Sequence, residues 1–252
     1  MLYRAFCFVG ALCLILLSCP AFGADAANPP AIEVKADELL RQMSEYLNTL
    51  GQFSLHTENS VDTLLATGQK VQLGRAVDVF VRRPDRFRAN IKGDIFDQEL
   101  YYDGKSITLF GKKVNYYATI EAPPTIEAAI DHAEESFGLV APLADLMNKN
   151  SYDILIEDVQ AGFYVGSSTV LGVECHHLAF RAEETDWQVW IEAGERPLPK
   201  KFVITSKWVA GAPQFTGLLT KWDVSAQLND SLFTFVAPEG AHQIEFLPAE
   251  ND

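Results

Sequence analysis

Between residues 32 and 51, apolar side chains return at every third or fourth position: Ile32, Ala36, Leu39, Leu40, Met43, Leu47 and Leu50. Glu, Lys, Arg and Gln fill the opposite side, so one stripe faces a core and the other faces water. That pattern predicts an amphipathic helix, and Gly51 is placed to end it. From Phe53 the period drops to two. Val71, Leu73, Val77, Val79 and Val81 fall on one face of a strand, and Gln72, Gly74, Asp78 and Arg82 on the other. Phe87, Ala89 and Ile91 prolong the alternation beyond Pro84, a proline expected at a sheet edge or a bend. Residues 99–102 and 106–110 read as strands joined by Asp103-Gly104, a strong hairpin signal. Gly111-Lys112-Lys113 makes the next turn, and a strand is expected over 114–120.

Pro123-Pro124 interrupts this pattern. Ile126, Ala129, Ile130, Ala133 and Phe137 form a second helical stripe, with Glu127, Asp131, Glu134 and Glu135 outside it, and a short helix is expected over 142–147. Further strands are expected at 152–159, 163–171, 173–181, 187–191, 201–208, 218–224 and 233–236, spaced as in an antiparallel meander. An N-terminal helix, a run of strands, a central helical insertion and more strands describe an α+β fold with one curved antiparallel sheet.

The N-terminus adds a destination. Arg4 precedes an apolar run from Ala5 to Leu17, and small residues follow, which is the order of a secretory signal. The run is too short to span a bilayer, which takes about 20 residues. Ala21-Phe22-Gly23 offers a cleavage site before Ala24, giving a signal peptide over 1–23, a linker over 24–31 and a single domain over 32–248. The alternative is Leu16-Leu17-Ser18-Cys19, similar to a lipobox, in which Cys19 would carry a lipid anchor. Periplasmic release is the preferred reading. It leaves Cys175 as the one cysteine of the exported chain, so stability must come from an ordinary core rather than from an internal disulfide.

The formal net charge of −14 argues against nucleic acid or an anionic membrane face as an electrostatic partner. Candidate chemistry is sparse. In a strand, Cys175 and His177 share one face while Glu174 and His176 share the other, and neither pair supplies the three or four ligands of a metal centre. His56, His132 and His242 stand apart from them. Asp131, Glu134 and Glu135 beside His132 read as a solvated helix flank. Gly166-Ser167-Ser168 lacks the second glycine of a nucleophile elbow, and no phosphate loop or dinucleotide fingerprint occurs. The expectation is a protein that is not an enzyme and has no cofactor. Aromatic residues are frequent, with 16 Phe, 8 Tyr and 4 Trp, and they suit either a core or an apolar cavity.

Three motifs, in order, give the chain a resemblance. They are Val79-Phe80-Val81-Arg82-Arg83-Pro84-Asp85-Arg86-Phe87-Arg88, then Tyr102-Asp103-Gly104-Lys105-Ser106-Ile107-Thr108-Leu109-Phe110, then Phe233-Thr234-Phe235-Val236-Ala237-Pro238-Glu239-Gly240. With them the chain resembles the periplasmic lipoprotein-carrier (LolA-like) superfamily, and within it a branch of predicted periplasmic proteins. The resemblance implies an incomplete antiparallel β-barrel with a helical lid, enclosing a cavity for acyl chains. It implies that Arg83 latches the lid and that Phe87 lines the cavity. The plain alternatives are a solvated strand-end charge and core packing. Val77, Val79, Val81, Leu109, Ile130 and Phe137 complete the expected cavity and lid. The expected function is a periplasmic carrier of an apolar ligand: an acyl chain, a lipid or a lipidated protein. The alternative is a regulatory or scaffolding module that binds a protein segment in the envelope.

Overall fold

A computed structural model describes residues 31–139 and 142–247; the expected signal peptide, Cys19 and most of the linker lie outside them. Helix α1 (Val34–Thr49) opens the fold. Strands β1 (Gln52–Leu64), β2 (Lys70–Arg82), β3 (Arg86–Gly93), β4 (Asp97–Tyr102), β5 (Ser106–Gly111) and β6 (Tyr116–Glu121) follow as consecutive hairpins. The central insertion holds α2 (Ile126–Phe137), a 3-10 turn (Ala144–Met147) and α3 (Ser151–Ile156). Strands β7 (Ala161–Val170), β8 (Val173–Arg181), β9 (Thr185–Glu192), β10 (Pro199–Ser206) and β11 (Gln214–Asp223) make a second meander. A 3-10 turn (Asp230–Leu232) and β12 (His242–Ile244) end the described chain.

All twelve strands join one sheet in the order β12-β6-β5-β4-β3-β2-β1-β11-β10-β9-β8-β7. Strands β1 and β11 pair antiparallel and so splice the two meanders into one surface. The sheet is curved and does not close, as expected of an incomplete β-barrel. Helix α1 lies in the concavity against β7, β8 and β9, burying Ala36, Leu40, Met43 and Leu47 along its apolar stripe. Helix α2 begins at Thr125, whose hydroxyl accepts a hydrogen bond from the Ala128 N–H at 3.3 Å. It stops at Gly138, whose φ of 63° is the left-handed turn that favours glycine.

Two expectations are corrected. Residues 152–159 are not a strand: Ser151–Ile156 form α3, because the buried Ser151 hydroxyl meets the Ser44 hydroxyl of α1 at 2.6 Å and Tyr152, Leu155 and Ile156 pack against the core. A short apolar run carries no periodicity that separates helix from strand. Residues 233–236 are not a strand either. Phe233 is fully buried just after the 3-10 turn, and Phe235 packs on the rings of Tyr101, Phe110 and Tyr117 at 5.4, 5.6 and 5.0 Å, so aromatic anchoring replaces a ladder. Pro84, expected at a sheet edge or a bend, lies in the bend between β2 and β3. The sheet also holds one parallel pair, β12 on β6.

Candidate functional site: an apolar cavity under a helical lid

The concave face of β1–β5 is built of cross-strand rungs. The deepest runs Phe53, Val81, Phe87, Tyr102, Ile107, and every member is buried. Above it run Trp222, Leu55, Val79, Ala89, Leu100 and Leu109. Next come Thr57, Val77, Ile91 and Gln98, and last Asn59, Arg75 and Gly93. Alternation along each strand sends these side chains to one face, and the curve of the sheet brings them round a common space.

Across that space lie Ile130 and Ala133 of α2, Gly138 and Leu139 after it, and Leu143, Leu146 and Met147 of the following turn. Between sheet and lid is a cavity of 340 Å³ lined mainly by apolar side chains. This is the size at which small-molecule pockets begin, about 300 Å³. Phe96, 48% exposed in the β3–β4 turn, stands at the rim beside Arg75 and Gln98. The opposite end, at the Phe53 and Phe87 rung, is closed.

Val77, Val79, Phe87, Leu109 and Ile130 line this cavity together. Val81 does not: at 0% exposure it is packed into the core on the rung between Phe53 and Phe87. Phe137 does not either. Its ring lies against His132 at 5.7 Å and Phe246 at 5.4 Å, near the end of α2. The last turn of a twelve-residue helix carries a 3.6-period stripe only as far as the partner surface reaches.

Arg83 sits behind the closed end. Its guanidinium donates to the Leu47 carbonyl of α1 and to the Leu146 carbonyl of the lid turn, both at 3.4 Å, while its buried Nε has no partner among the described residues. Burial lowers its pKa from the ordinary arginine value, and Glu127 only partly opposes this. The charge therefore bridges two helical segments from below.

Two polar groups of the cavity carry no motif: Asn59 and Arg75. Parity along β1 and β2 places them on the same face as Thr57 and Val77, which is the sequence signal that finds them. Arg75 forms no ion pair among the described residues, its Nε is buried without a partner, and burial lowers its pKa.

The remaining titratable groups do not converge. His56 lies on the convex side between Asp78 (Nδ1 to Oδ1, 2.5 Å) and Glu58 (Nε2 to Oε1, 3.1 Å), and these hydrogen bonds raise its pKa. His177 stacks on Trp190 at 4.0 Å and shares a hydrogen bond with Gln188 at 2.9 Å, and its burial lowers its pKa. Cys175 is buried, which pushes its thiol up. Among the described residues no cluster of His, Cys, Asp and Glu could hold a metal ion, and no helix is long and apolar enough to cross a membrane.

The described residues thus form an aromatic-rich half-barrel around an apolar cavity covered by the central helical segments. The chain belongs to the family described as "Predicted periplasmic protein (DUF2092)", whose model matches residues 36–247. Solved structures similar to this chain include an uncharacterized conserved protein from Thermus thermophilus, 11% identical, with a TM-score of 0.47 over 84% of this chain and 99% of that one. The lipoprotein LppX of Mycobacterium tuberculosis is 10% identical, with a TM-score of 0.44 over 77% and 98% of the two chains. A LolA superfamily protein from Nitrosomonas europaea is 8% identical, with a TM-score of 0.38 over 79% and 97%. No curated protein matches the chain at a significant level.

Proposed function

We propose that this protein is a periplasmic carrier that encloses an acyl chain, from a lipid or a lipidated protein, in the cavity between the β1–β5 face and the central lid. The observation that carries this reading is the unfilled 340 Å³ space lined by Val77, Val79, Phe87, Leu109 and Ile130. Side chains in an ordinary core interdigitate with few voids larger than a water molecule, so an apolar void of this size marks a place for something else. Each methylene moved from water into it gains about 0.8 kcal/mol. Release requires the lid to move, and Arg83, held to Leu47 and Leu146, is the candidate latch.

A module that binds a protein segment would more naturally offer a free sheet edge. At the start of β7 that edge is occupied. Gly162 exchanges backbone hydrogen bonds with Ala31 and Glu33, at 2.9 Å each, and the Glu33 carboxylate accepts from the Tyr164 N–H at 2.9 Å. These features support the carrier over the alternative.

The test is mass spectrometry of lipids extracted from the protein after gentle purification from its own periplasm. A stoichiometric acyl species is expected. A protein that emerges empty, and also fails to take up added lipid, would overturn the reading.

A further inference from the structure

The mouth of the cavity differs from its floor. The outermost rung crosses four strands as Gly217, Asn59, Arg75 and Gly93. The two polar side chains stand at its centre, with a glycine on either flank. The flanks are tight: a Cβ at Gly217 would meet Asn59 Oδ1 and Leu143 Cδ1 at 3.1 Å, and one at Gly93 would meet the Gly74 carbonyl oxygen at 2.7 Å and the Arg75 Cβ at 2.8 Å. Gly217 therefore keeps space for the Asn59 amide, and Gly93 allows the close approach of the β2 backbone that carries Arg75.

Both polar groups are left incomplete. Arg75 has no carboxylate partner among the described residues, and the only aromatic face near its guanidinium is Phe215 at 6.0 Å. The Asn59 amide donates to the Thr57 hydroxyl at 3.0 Å and leaves Oδ1 buried and unpaired. A partly buried cation without a counter-charge is costly, and here it lies against a space that a ligand can enter.

We propose, resting on the carrier reading, that the ligand is a single-chain amphiphile with an anionic head, a carboxylate or a phosphate. The head pairs with Arg75 at the mouth, beside Asn59, and the chain runs down the Val77, Val79 and Phe87 wall. The dimensions agree. From Arg75 to Val81 is six residues of one strand, about 20 Å at the usual rise, and the head remains next to the exposed rim at Phe96. An arginine fork also suits a carboxylate or phosphate better than a neutral hydroxyl.

The experiment is calorimetric titration of the exported full-length protein with dodecanoate, dodecyl phosphate and dodecanol, each kept below its aggregation concentration. At least one of the anions is expected to bind about tenfold or more tighter than the alcohol, the gain from one charge-assisted hydrogen-bonded pair. Arg75→Gln is expected to bring that anion down to the alcohol's affinity, and Arg75→Lys to keep part of the gap. Preference for dodecanoate alone points to a free fatty acid, and preference for dodecyl phosphate alone to a phospholipid product. Equal binding of all three by the unsubstituted protein overturns the proposal and leaves the carrier reading intact. So does an Arg75→Gln variant that weakens all three alike. Binding of none overturns both. The comparison among ligands needs no variant, so it holds even if Arg75→Gln folds poorly.

Discussion

Two arginines of one hairpin, Arg75 within β2 and Arg83 at the β2–β3 turn, face different problems. Arg83 is buried behind the cavity and spends its donors on the carbonyls of Leu47 and Leu146. Both bonds are long, and the Nε is unpaired among the described residues, so the contact between the two segments is loose. Arg83→Ala is expected to release the 3-10 turn at Ala144–Met147 and to cost about 1–3 kcal/mol, the scale of losing hydrogen bonds to a buried charge. Faster amide exchange in residues 125–147 checks the first part, and unchanged exchange there would reduce Arg83 to a space-filling residue. The sequence pointed to Arg83 because it stands before Pro84 in a recognisable motif. Arg75 has no such flag. It interrupts the row of Val71, Leu73, Val77, Val79 and Val81, so parity alone marks it as facing inward, and the rung to Asn59 shows what stands beside it.

At the scale of elements, the lid carries an electrostatic load. Burial pushes the Asp145 carboxyl up from its ordinary value, and Glu134 and Asp131 of α2 push it in the same direction. A raised carboxyl favours the fold in acid, where it is protonated, and the penalty grows as pH climbs through its raised value. Asp145→Asn is therefore expected to raise the melting temperature at pH 7.5 and to make little difference near pH 3.5. Melting curves at the two pH values check the sign; a destabilised variant at pH 7.5 would show that the carboxylate is needed there. The helices α1 and α2 were legible because each is long enough to repeat its stripe several times, and the β2 valines because alternation persists over thirteen residues. The segment at 152–159 was not, since α3 spans six residues and its conformation is decided by Ser44 and the core beneath it. Nor was the path of residues 233–236, where rings from β4, β5 and β6 capture Phe235. Contacts of that kind come from residues more than a hundred positions away and leave no local period.

For the whole molecule, the cavity sets a trade between packing and capacity. Ala89 lies midway along the wall, on the rung with Leu55 and Val79. Ala89→Phe places a ring in the empty space. It is expected to leave thermal stability equal or higher and to weaken dodecanoate binding at least about tenfold, the equivalent of roughly 1.4 kcal/mol. A variant that binds as before would move the ligand elsewhere; one that unfolds would show that the space is smaller than it looks. The overall plan of helix, sheet, insertion and sheet could be read from the sequence because turn residues punctuate it regularly. The depth of the cavity could not, because the same aromatic and branched residues build a filled core or a hollow one, and only the curvature of the sheet decides between them.

An open sheet of twelve strands has two ends, and this chain finishes both with its own terminal segments. Residues Ala31–Glu33 lie along the start of β7, and the three residues of β12 lie along β6. Beyond Tyr164 the register of β7 slips at Gly166, which interrupts its outer row of hydrogen-bonding groups. Short end pieces and an irregular margin are what stop one sheet from extending into the next. The two ends of the described chain thus act as selvedges. They let a hollow, greasy half-barrel exist at high local concentration without stitching itself to its neighbours.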